Sequence, residues 1–212
     1  KRLIDLALAT FGWMKGGLAV AAVIACMFFA AISGSSPVTL IAIGTIMYPA
    51  MIKNGYPENI PLGILTVSGS LGILIPPSIP MIIYSVVVSG PGIYVDINKL
   101  FIAGIIPGVV TGIFLMIMAM FQGKKYNLPT QQFSFKNFLS SLKRGIPAIL
   151  MPVIILGGIY SGIYTVTEAA AVGAVYAVLI EIFYFREMKM KDIADTLYES
   201  VIILGIIFMI IA

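Results

Sequence analysis

The sequence has little charge. Only 10% of its 212 residues are Asp, Glu, Lys or Arg, whereas 60% are hydrophobic, and the mean hydropathy is +1.07. Soluble domains carry about 25% charged residues, so this chain cannot cover a globule of its size with polar surface. The composition therefore indicates an integral membrane protein. The net charge of +4 comes mostly from segments between apolar runs, so we expect no nucleic-acid partner.

Histidine is absent and cysteine occurs once, at Cys26. This excludes a disulfide within the chain and metal sites built on histidine or on several cysteines. None of the nine acidic residues lies in the middle of an apolar run. An intramembrane enzyme would need a nucleophile with its base, or paired acids, at that depth. We therefore expect neither an enzyme nor a cofactor. A channel is not favoured either, because the sequence contains no ring-forming repeat or selectivity-filter motif.

The apolar runs predict an all-α membrane domain. A spanning helix needs about 20 residues, and helices are predicted over residues 101–121, 146–163, 166–185 and 197–212. The run at 62–90 is longer, but Pro76, Pro77 and Pro80 interrupt it, which predicts a broken spanning helix or two short arms. Two shorter runs make up residues 17–52, with only five residues between them. These predict a re-entrant hairpin. Two full crossings are the alternative, because they would leave the segments before and after 17–52 on the same side of the membrane.

The basic residues favour one arrangement of these runs. If residues 62–90 cross once and residues 17–52 return to their starting side, twelve of the thirteen basic residues share one side and only Lys99 is opposite. Basic loops mark the cytoplasmic side. The loops at 53–61, 122–145 and 186–196 are therefore expected in the cytoplasm. Within the longest of them, apolar residues at helical spacing predict a segment along the membrane surface.

Small polar residues separate the two arms of 17–52. Ser33, Ser35, Ser36 and Thr39 offer hydroxyl oxygens, and Gly34 permits a tight turn. Such oxygens at a broken helix suit a small cation such as Na⁺, and a helix that begins there directs its positive end at an anion. Transporters use interrupted helices in this way. A plain loop, or a packing contact between small residues, explains the spacing equally well.

The centre of 62–90, "SGSLGILIPPS", offers the same chemistry. Ser68, Ser70 and Ser78 carry hydroxyls, and backbone carbonyls are freed around Gly69 and Gly72. The alternative is a proline kink, which membrane helices tolerate. Two polar breaks within a short stretch of an apolar chain favour the functional interpretation.

The chain also resembles one transporter family, the large membrane subunit of the tripartite ATP-independent periplasmic (TRAP) transporters. The resemblance lies, in order and spacing, in "GSSPVTLIAIGTIMYPAMIKNGY", "GSLGILIPPSIPMIIYSVV", "LFIAGIIPG" and "IPAILMPVIILGGIYSGIYTVTEAAAVGAVYAV". It implies the inverted-repeat fold of the ion transporter superfamily, in which each repeat has a re-entrant hairpin and a discontinuous helix. The chain would hold the first repeat's pair, with the second hairpin expected beyond residue 212.

The resemblance implies Na⁺-coupled, elevator-type uptake of small carboxylates, of the C4-dicarboxylate, sugar-acid or sialic-acid type. It implies two protein partners, a periplasmic substrate-binding protein and a smaller membrane subunit, in a prokaryotic cytoplasmic membrane. The alternative is a stand-alone Na⁺/dicarboxylate carrier without a binding protein. The stretches "LIPPSIP" and "TVTEAAAVG" favour the tripartite kind.

Site residues follow from the resemblance by position. One Na⁺ site would be walled by Ser35, Ser36, Gly69 and Gly72. Its neighbours would be Ser33, Gly34, Thr39, Ser70, Pro76 and Pro77. Three further residues, Thr165, Thr167 and Glu168, are candidates for a gate or a contact with the binding protein. We prefer a simpler interpretation for these three, a helix start with a threonine cap and a glutamate at the positive end.

Overall fold

The computed structural model describes residues 2–90, 94–130, 132–186, 194–198 and 200–202, together with positions 205 and 209. Its regular elements are helices, which confirms the predicted all-α class. The chain divides into two compact units, Lys1–Ile163 and Tyr164–Ala212.

The first unit is a succession of helices of very different lengths. In chain order they are α1 (Arg2–Phe11), α2 (Gly17–Ser33), α3 (Ser36–Lys53), α4 (Asn59–Gly69), α5 (Leu71–Leu74), α6 (Ile79–Val88), α7 (Ile97–Lys125) and α8 (Phe135–Tyr160). Interruptions fall at both places where the sequence predicts them, between α2 and α3 and between α4 and α6.

Helix α2 forms the centre of this unit. It packs against α1, α3, α4, α5, α7 and α8. Small side chains, among them Ala21, Ala22, Ala25 and Cys26, are fully buried along it. A helix that is apolar all round belongs in a protein interior, and small residues let neighbouring backbones approach closely. The chain therefore surrounds the first arm of the hairpin with its own helices.

Four helices of the described residues are long and apolar enough to cross a membrane: Ser36–Lys53, Ile97–Lys125, Phe135–Tyr160 and Val166–Phe185. A fifth crossing results if Asn59–Leu74 and Ile79–Val88, bent by 40° at their break, count as one broken span. The second hairpin arm was expected to be too short to cross, but α3 has 18 residues. Of the two arms only α2, with 17 residues, is shorter than the helices of spanning length, so length no longer separates a re-entrant hairpin from two crossings.

The predicted loop at 122–145 contains a helical segment, as its apolar spacing predicted, but the helices on both sides extend into it. Helix α7 continues to Lys125, and α8 already begins at Phe135, where the Ser134 side chain accepts a hydrogen bond from the Asn137 amide. The surface segment expected there is thus the first part of α8 and is continuous with the predicted helix at 146–163. Pro147 and Pro152 lie inside α8 without ending it.

The second unit contains α9 (Val166–Leu179), which continues as a π-helical segment over Ile180–Phe185. Together they match the span predicted at 166–185. The last predicted helix, 197–212, lies largely outside the described residues; those of its positions that are described are helical.

Candidate functional site

The tip of the hairpin, residues 33–36, is a two-residue turn between helices. Helix α2 ends at Ser33, and Gly34 adopts a left-handed conformation (φ +62°) while its N–H donates to the Ala30 carbonyl at 3.0 Å. Glycine is the usual residue for this type of helix end. Helix α3 begins at Ser36, with Pro37 in its first turn, where proline costs no hydrogen bond.

Hydroxyl groups cross-link the tip. The Thr39 Oγ1 hydroxyl donates to the Ser35 carbonyl at 2.8 Å and lies 2.8 Å from the Ser33 Oγ. Thr39 is 0% exposed, whereas Ser33 and Ser35 are partly exposed. The network stabilises this turn, because the buried Thr39 hydroxyl would lack partners without it.

The discontinuous helix is interrupted over residues 70–78, which we call the break. Its single regular element is the four-residue α5, after which Ile75 to Ser78 are non-helical and the Pro76–Pro77 peptide is cis. Pro76 is buried, and the Ser78 hydroxyl, also buried, donates to the Ile73 carbonyl at 2.8 Å. The break thus has its own hydrogen bonds instead of being a simple kink.

The tip and the break contact each other directly. The Ile79 N–H, at the start of α6, donates to the Gly34 carbonyl at 3.1 Å. The Ser36 hydroxyl, at the start of α3, donates to the Ser70 carbonyl at 3.3 Å. We call this contact the junction. The two polar breaks that the sequence singled out separately are therefore hydrogen-bonded to each other.

Glycines make the junction possible. A Cβ atom on Gly72 would lie 2.5 Å from the Ser35 carbonyl oxygen, and one on Gly34 would lie 2.6 Å from the Pro77 carbonyl oxygen. Ordinary contacts of a Cβ atom are 3.4–4 Å. Gly69 has a different role: its missing side chain leaves room for Leu40, one turn along α3 from the tip.

The hydroxyls of two predicted site residues, Ser68 of α4 and Ser70 of the break, make no hydrogen bond across the junction among the described residues. The Ser70 hydroxyl donates to the Val67 carbonyl at 2.7 Å, within its own helix turn. The Ser68 hydroxyl is fully buried and has no hydrogen-bond partner among the described residues. An unpaired buried hydroxyl costs about 1–3 kcal/mol, so among the described residues Ser68 is a predicted site residue whose buried hydroxyl has unused bonding capacity.

Sequence reasoning predicted a helix at 101–121 but missed that this helix, α7, supports the break. Gly104 and Gly108 of α7 face the Leu74 carbonyl and the Ile75 side chain, and Gly112, one turn further, faces Met27 of α2. These glycines recur every fourth residue, the spacing at which small residues let helices pack closely. That spacing is visible in the sequence and could have predicted α7 as the platform for the junction.

Four helix ends meet at the junction. The N-termini of α3 and α6 contribute positive ends, and the preceding residues Ser35 and Ser78 make no side-chain cap. The C-termini of α2 and α4 contribute carbonyl oxygens, those of Gly34 and Ser70. Partial positive charge of helix N-termini attracts anions, and freed carbonyls coordinate cations. The junction can therefore attract both, using groups that do not ionise at physiological pH.

Thr165 and Glu168 lie at the start of α9 and form a capping box. The Glu168 N–H donates to the Thr165 hydroxyl at 3.3 Å, and the Thr165 N–H donates to the Glu168 carboxylate at 2.8 Å. This arrangement satisfies two otherwise unpaired amides and is the helix start that we preferred. Thr167 is exposed beside them. A gate or partner contact at these residues stays a prediction.

The described residues form apolar helices of membrane-spanning length and two interruptions that contact each other, an arrangement typical of the transporter class. The whole chain, residues 1–212, matches the family described as "Tripartite ATP-independent periplasmic transporter, DctM component", and it belongs to that family. The recognition made from the sequence motifs is thereby confirmed.

Individual relatives agree with this assignment. The chain is 45% identical, over 94% of its length and 46% of the relative's, to the C4-dicarboxylate TRAP transporter large permease protein DctM of Pseudomonas aeruginosa. It is 47% identical to the protein of the same name from Vibrio cholerae, over 89% of the chain and 41% of the relative. The ectoine/5-hydroxyectoine TRAP transporter large permease protein UehC of Ruegeria pomeroyi is 37% identical over 99% of the chain and 48% of the relative. The chain spans less than half the length of these permeases, and their names agree with the expectation that it is not an enzyme.

Replacing Thr39 by valine tests the hydroxyl network of the tip. Valine keeps the shape but removes the bonds to Ser35 and Ser33, so we expect a loss of about 1–3 kcal/mol in stability. Thr45→Val is the matched control, because Thr45 makes the same bond to the residue four before it, at 2.9 Å, on an exposed part of α3. The midpoint of thermal unfolding of the full-length protein measures both. Equal midpoints for the two variants would contradict a structural role for the tip network.

Proposed function

We propose that the full-length protein takes up small carboxylates together with Na⁺, as the large permease subunit of a binding-protein-dependent TRAP transporter in a prokaryotic cytoplasmic membrane. The observation that carries the proposal is the junction, where two interrupted helices bond to each other through Gly34, Ile79, Ser36 and Ser70. Interrupted helices of transporters hold ions and substrates at such points, and family membership supports the same function.

Na⁺ would be held by oxygen atoms at the tip and break. Ser35 and Gly72 are in backbone contact, and the Ser36 hydroxyl reaches across to the break. Serine hydroxyls and backbone carbonyls are hard, neutral ligands, which suit an ion that must be released again. Of the four residues expected to wall the Na⁺ site, Gly69 contacts Leu40, which lies one turn along α3 from the tip. Gly69 would shape the wall through that contact.

A carboxylate would be drawn to the helix N-termini of the junction. No side chain caps the start of α3 or of α6. The first amide of α6, that of Ile79, already donates to the Gly34 carbonyl, so the start of α3 is the end whose partial positive charge remains available to an anion. Two relatives named for C4-dicarboxylate are 45% and 47% identical, and one named for ectoine is 37% identical. This favours a C4-dicarboxylate over the other substrate classes.

The proposed partners are a periplasmic binding protein, which delivers the substrate, and a smaller membrane subunit. An elevator-type motion would carry the junction across the membrane as one body, because the tip and break are bonded to each other. A stand-alone Na⁺/dicarboxylate carrier is the second candidate. The same junction would serve that carrier, so only a dependence on the binding protein separates the two.

Transport by the full-length protein tests the proposal. We would reconstitute it with its small subunit in proteoliposomes and follow labelled succinate under an inward Na⁺ gradient, with and without the neighbouring binding protein. We expect uptake only when both Na⁺ and the binding protein are present. A K⁺ gradient of equal size is the control for ionic strength.

Uptake with Na⁺ alone would assign the protein to the stand-alone carriers. Succinate uptake that is equal in Na⁺ and K⁺ would reject Na⁺ coupling while leaving the family assignment intact. If succinate is not carried, a panel of sugar acids and sialic acid under the same gradients identifies the substrate class.

A further inference from the structure

A polar cavity of about 500 Å³ lies between α1 and the first half of α8, far along the chain from the tip and break. Its charged residues are Arg2, Asp5 and Arg144, so two guanidinium groups face one carboxylate. Asn137, Ser140 and Ser141 add amide and hydroxyl groups. The cavity therefore carries a net positive charge and a set of uncharged hydrogen-bond donors.

Helical periodicity explains how these residues come together. Arg2 and Asp5 lie on one face of α1, and Asn137, Ser141 and Arg144 follow one face of α8 at spacings of four and three residues. The two helices pack against each other. Arg144 is exposed and makes no ion pair among the described residues, so its charge is available to a ligand.

An apolar groove of about 310 Å³ is formed by the same two helices. Leu3 and Leu6 of α1 and Phe138 and Leu142 of α8 line it, together with Phe28. Each of the four residues on α1 and α8 directly follows a residue of the polar cavity in the sequence. The helix pair thus presents a cationic polar cavity on one face and an apolar groove on a neighbouring face.

We propose that the polar cavity binds the phosphodiester headgroup of an anionic phospholipid, with Arg144 on the phosphate and an acyl chain against the apolar groove. The formal charges of the residues that line the cavity sum to +1, which matches the single negative charge of a phosphodiester. Free inorganic phosphate carries between one and two charges near neutral pH and gains nothing from an apolar groove. Basic cavities between helices on the positively charged side of a membrane protein suit lipid headgroups.

Native mass spectrometry of the full-length permease in detergent tests this site, with dioleoyl-phosphatidylglycerol and dioleoyl-phosphatidylcholine as probes. We expect tighter binding of phosphatidylglycerol, and Arg144→Gln should weaken it about fivefold, the effect of one basic residue at a membrane surface. Lys143→Gln is the matched control, because Lys143 is exposed next to Arg144 but does not line the cavity. It should leave phosphatidylglycerol binding unchanged.

Asp5→Asn keeps the proposal falsifiable if Arg144→Gln folds poorly. Among the described residues that line the cavity, Asp5 carries the one carboxylate. Its removal should tighten phosphatidylglycerol binding by a similar factor, an effect that misfolding cannot produce. Equal binding of the two lipids, or equal loss in the Arg144 and Lys143 variants, would overturn the proposal. Displacement of bound phosphatidylglycerol by millimolar inorganic phosphate would assign the cavity to a free anion and would overturn the lipid assignment.

Discussion

Gly72→Ala is expected to abolish Na⁺-driven uptake while the protein still reaches the membrane. The new methyl group would lie 2.5 Å from the Ser35 carbonyl oxygen and 2.9 Å from the Ser36 nitrogen, where ordinary contacts begin at 3.4 Å. Both are backbone atoms of the tip, so no side chain can rotate away to make room. The tip must move by about 1 Å, and overpacking of this kind costs about 1–3 kcal/mol.

This overpacking destabilises the contact between tip and break. A cost of about 1–3 kcal/mol corresponds to about 5- to 150-fold in the equilibrium constant for forming that contact. Na⁺ affinity is measured from the rise in thermal unfolding midpoint that Na⁺ produces, and transport from succinate uptake. Gly63→Ala is the control: Gly63 lies in α4 of the same broken helix, and a Cβ atom there would meet nothing within 4 Å. Wild-type Na⁺ affinity and uptake in the Gly72 variant would show that the junction is not the ion site.

The two breaks could be located from the sequence because their causes are local. Consecutive prolines remove backbone donors at any depth, and a glycine between helices permits the left-handed turn seen at Gly34. The contact between the breaks could not be predicted in the same way. It joins Gly34 to Ile79 and Ser36 to Ser70, residues far apart in the chain, and depends on how α2, α3 and α5 pack together.

Helix ends were the weakest part of the sequence prediction, because hydropathy marks the apolar core of a helix rather than its end. Helix α7 was predicted from residue 101 but begins at Ile97, where the Asp96 side chain accepts a hydrogen bond from the Asn98 amide at 2.9 Å. It also continues through the polar residues up to Lys125. Such caps are readable in a sequence, but only once a helix is expected to extend beyond the apolar run.

The distribution of basic residues determines some features of the membrane topology, and helix packing determines others. The division of basic residues depends only on the number of crossings, so it favours residues 62–90 as one broken crossing. A re-entrant hairpin and two crossings at 17–52 place the basic residues on the same side, and α3, with 18 residues, is long enough for either. The buried state of α2 fits either arrangement, since a helix inside a bundle need not contact lipid.

Gly34→Ala is expected to have the second large effect, because it combines two penalties at the tip. Alanine at φ +62° pays for a left-handed conformation, about 1–3 kcal/mol for a non-glycine residue. Its methyl group would also lie 2.6 Å from the Pro77 carbonyl oxygen and 3.4 Å from the Ile79 nitrogen, which donates the hydrogen bond that closes the junction. We expect a lower unfolding midpoint and loss of Na⁺-driven uptake.

Gly55→Ala separates these two penalties. Gly55 has φ +80°, but a Cβ atom there would meet nothing within 4 Å. Alanine at this position is therefore destabilised only by the left-handed backbone conformation. If contact between tip and break stabilises the protein, Gly34→Ala must destabilise it more than Gly55→Ala, by the overpacking cost of about 1–3 kcal/mol. Only the Gly34 variant should lose Na⁺ binding. Equal unfolding midpoints with unchanged Na⁺ affinity in both variants would mean that the tip does not depend on the break, and the junction would then be a packing contact rather than a site.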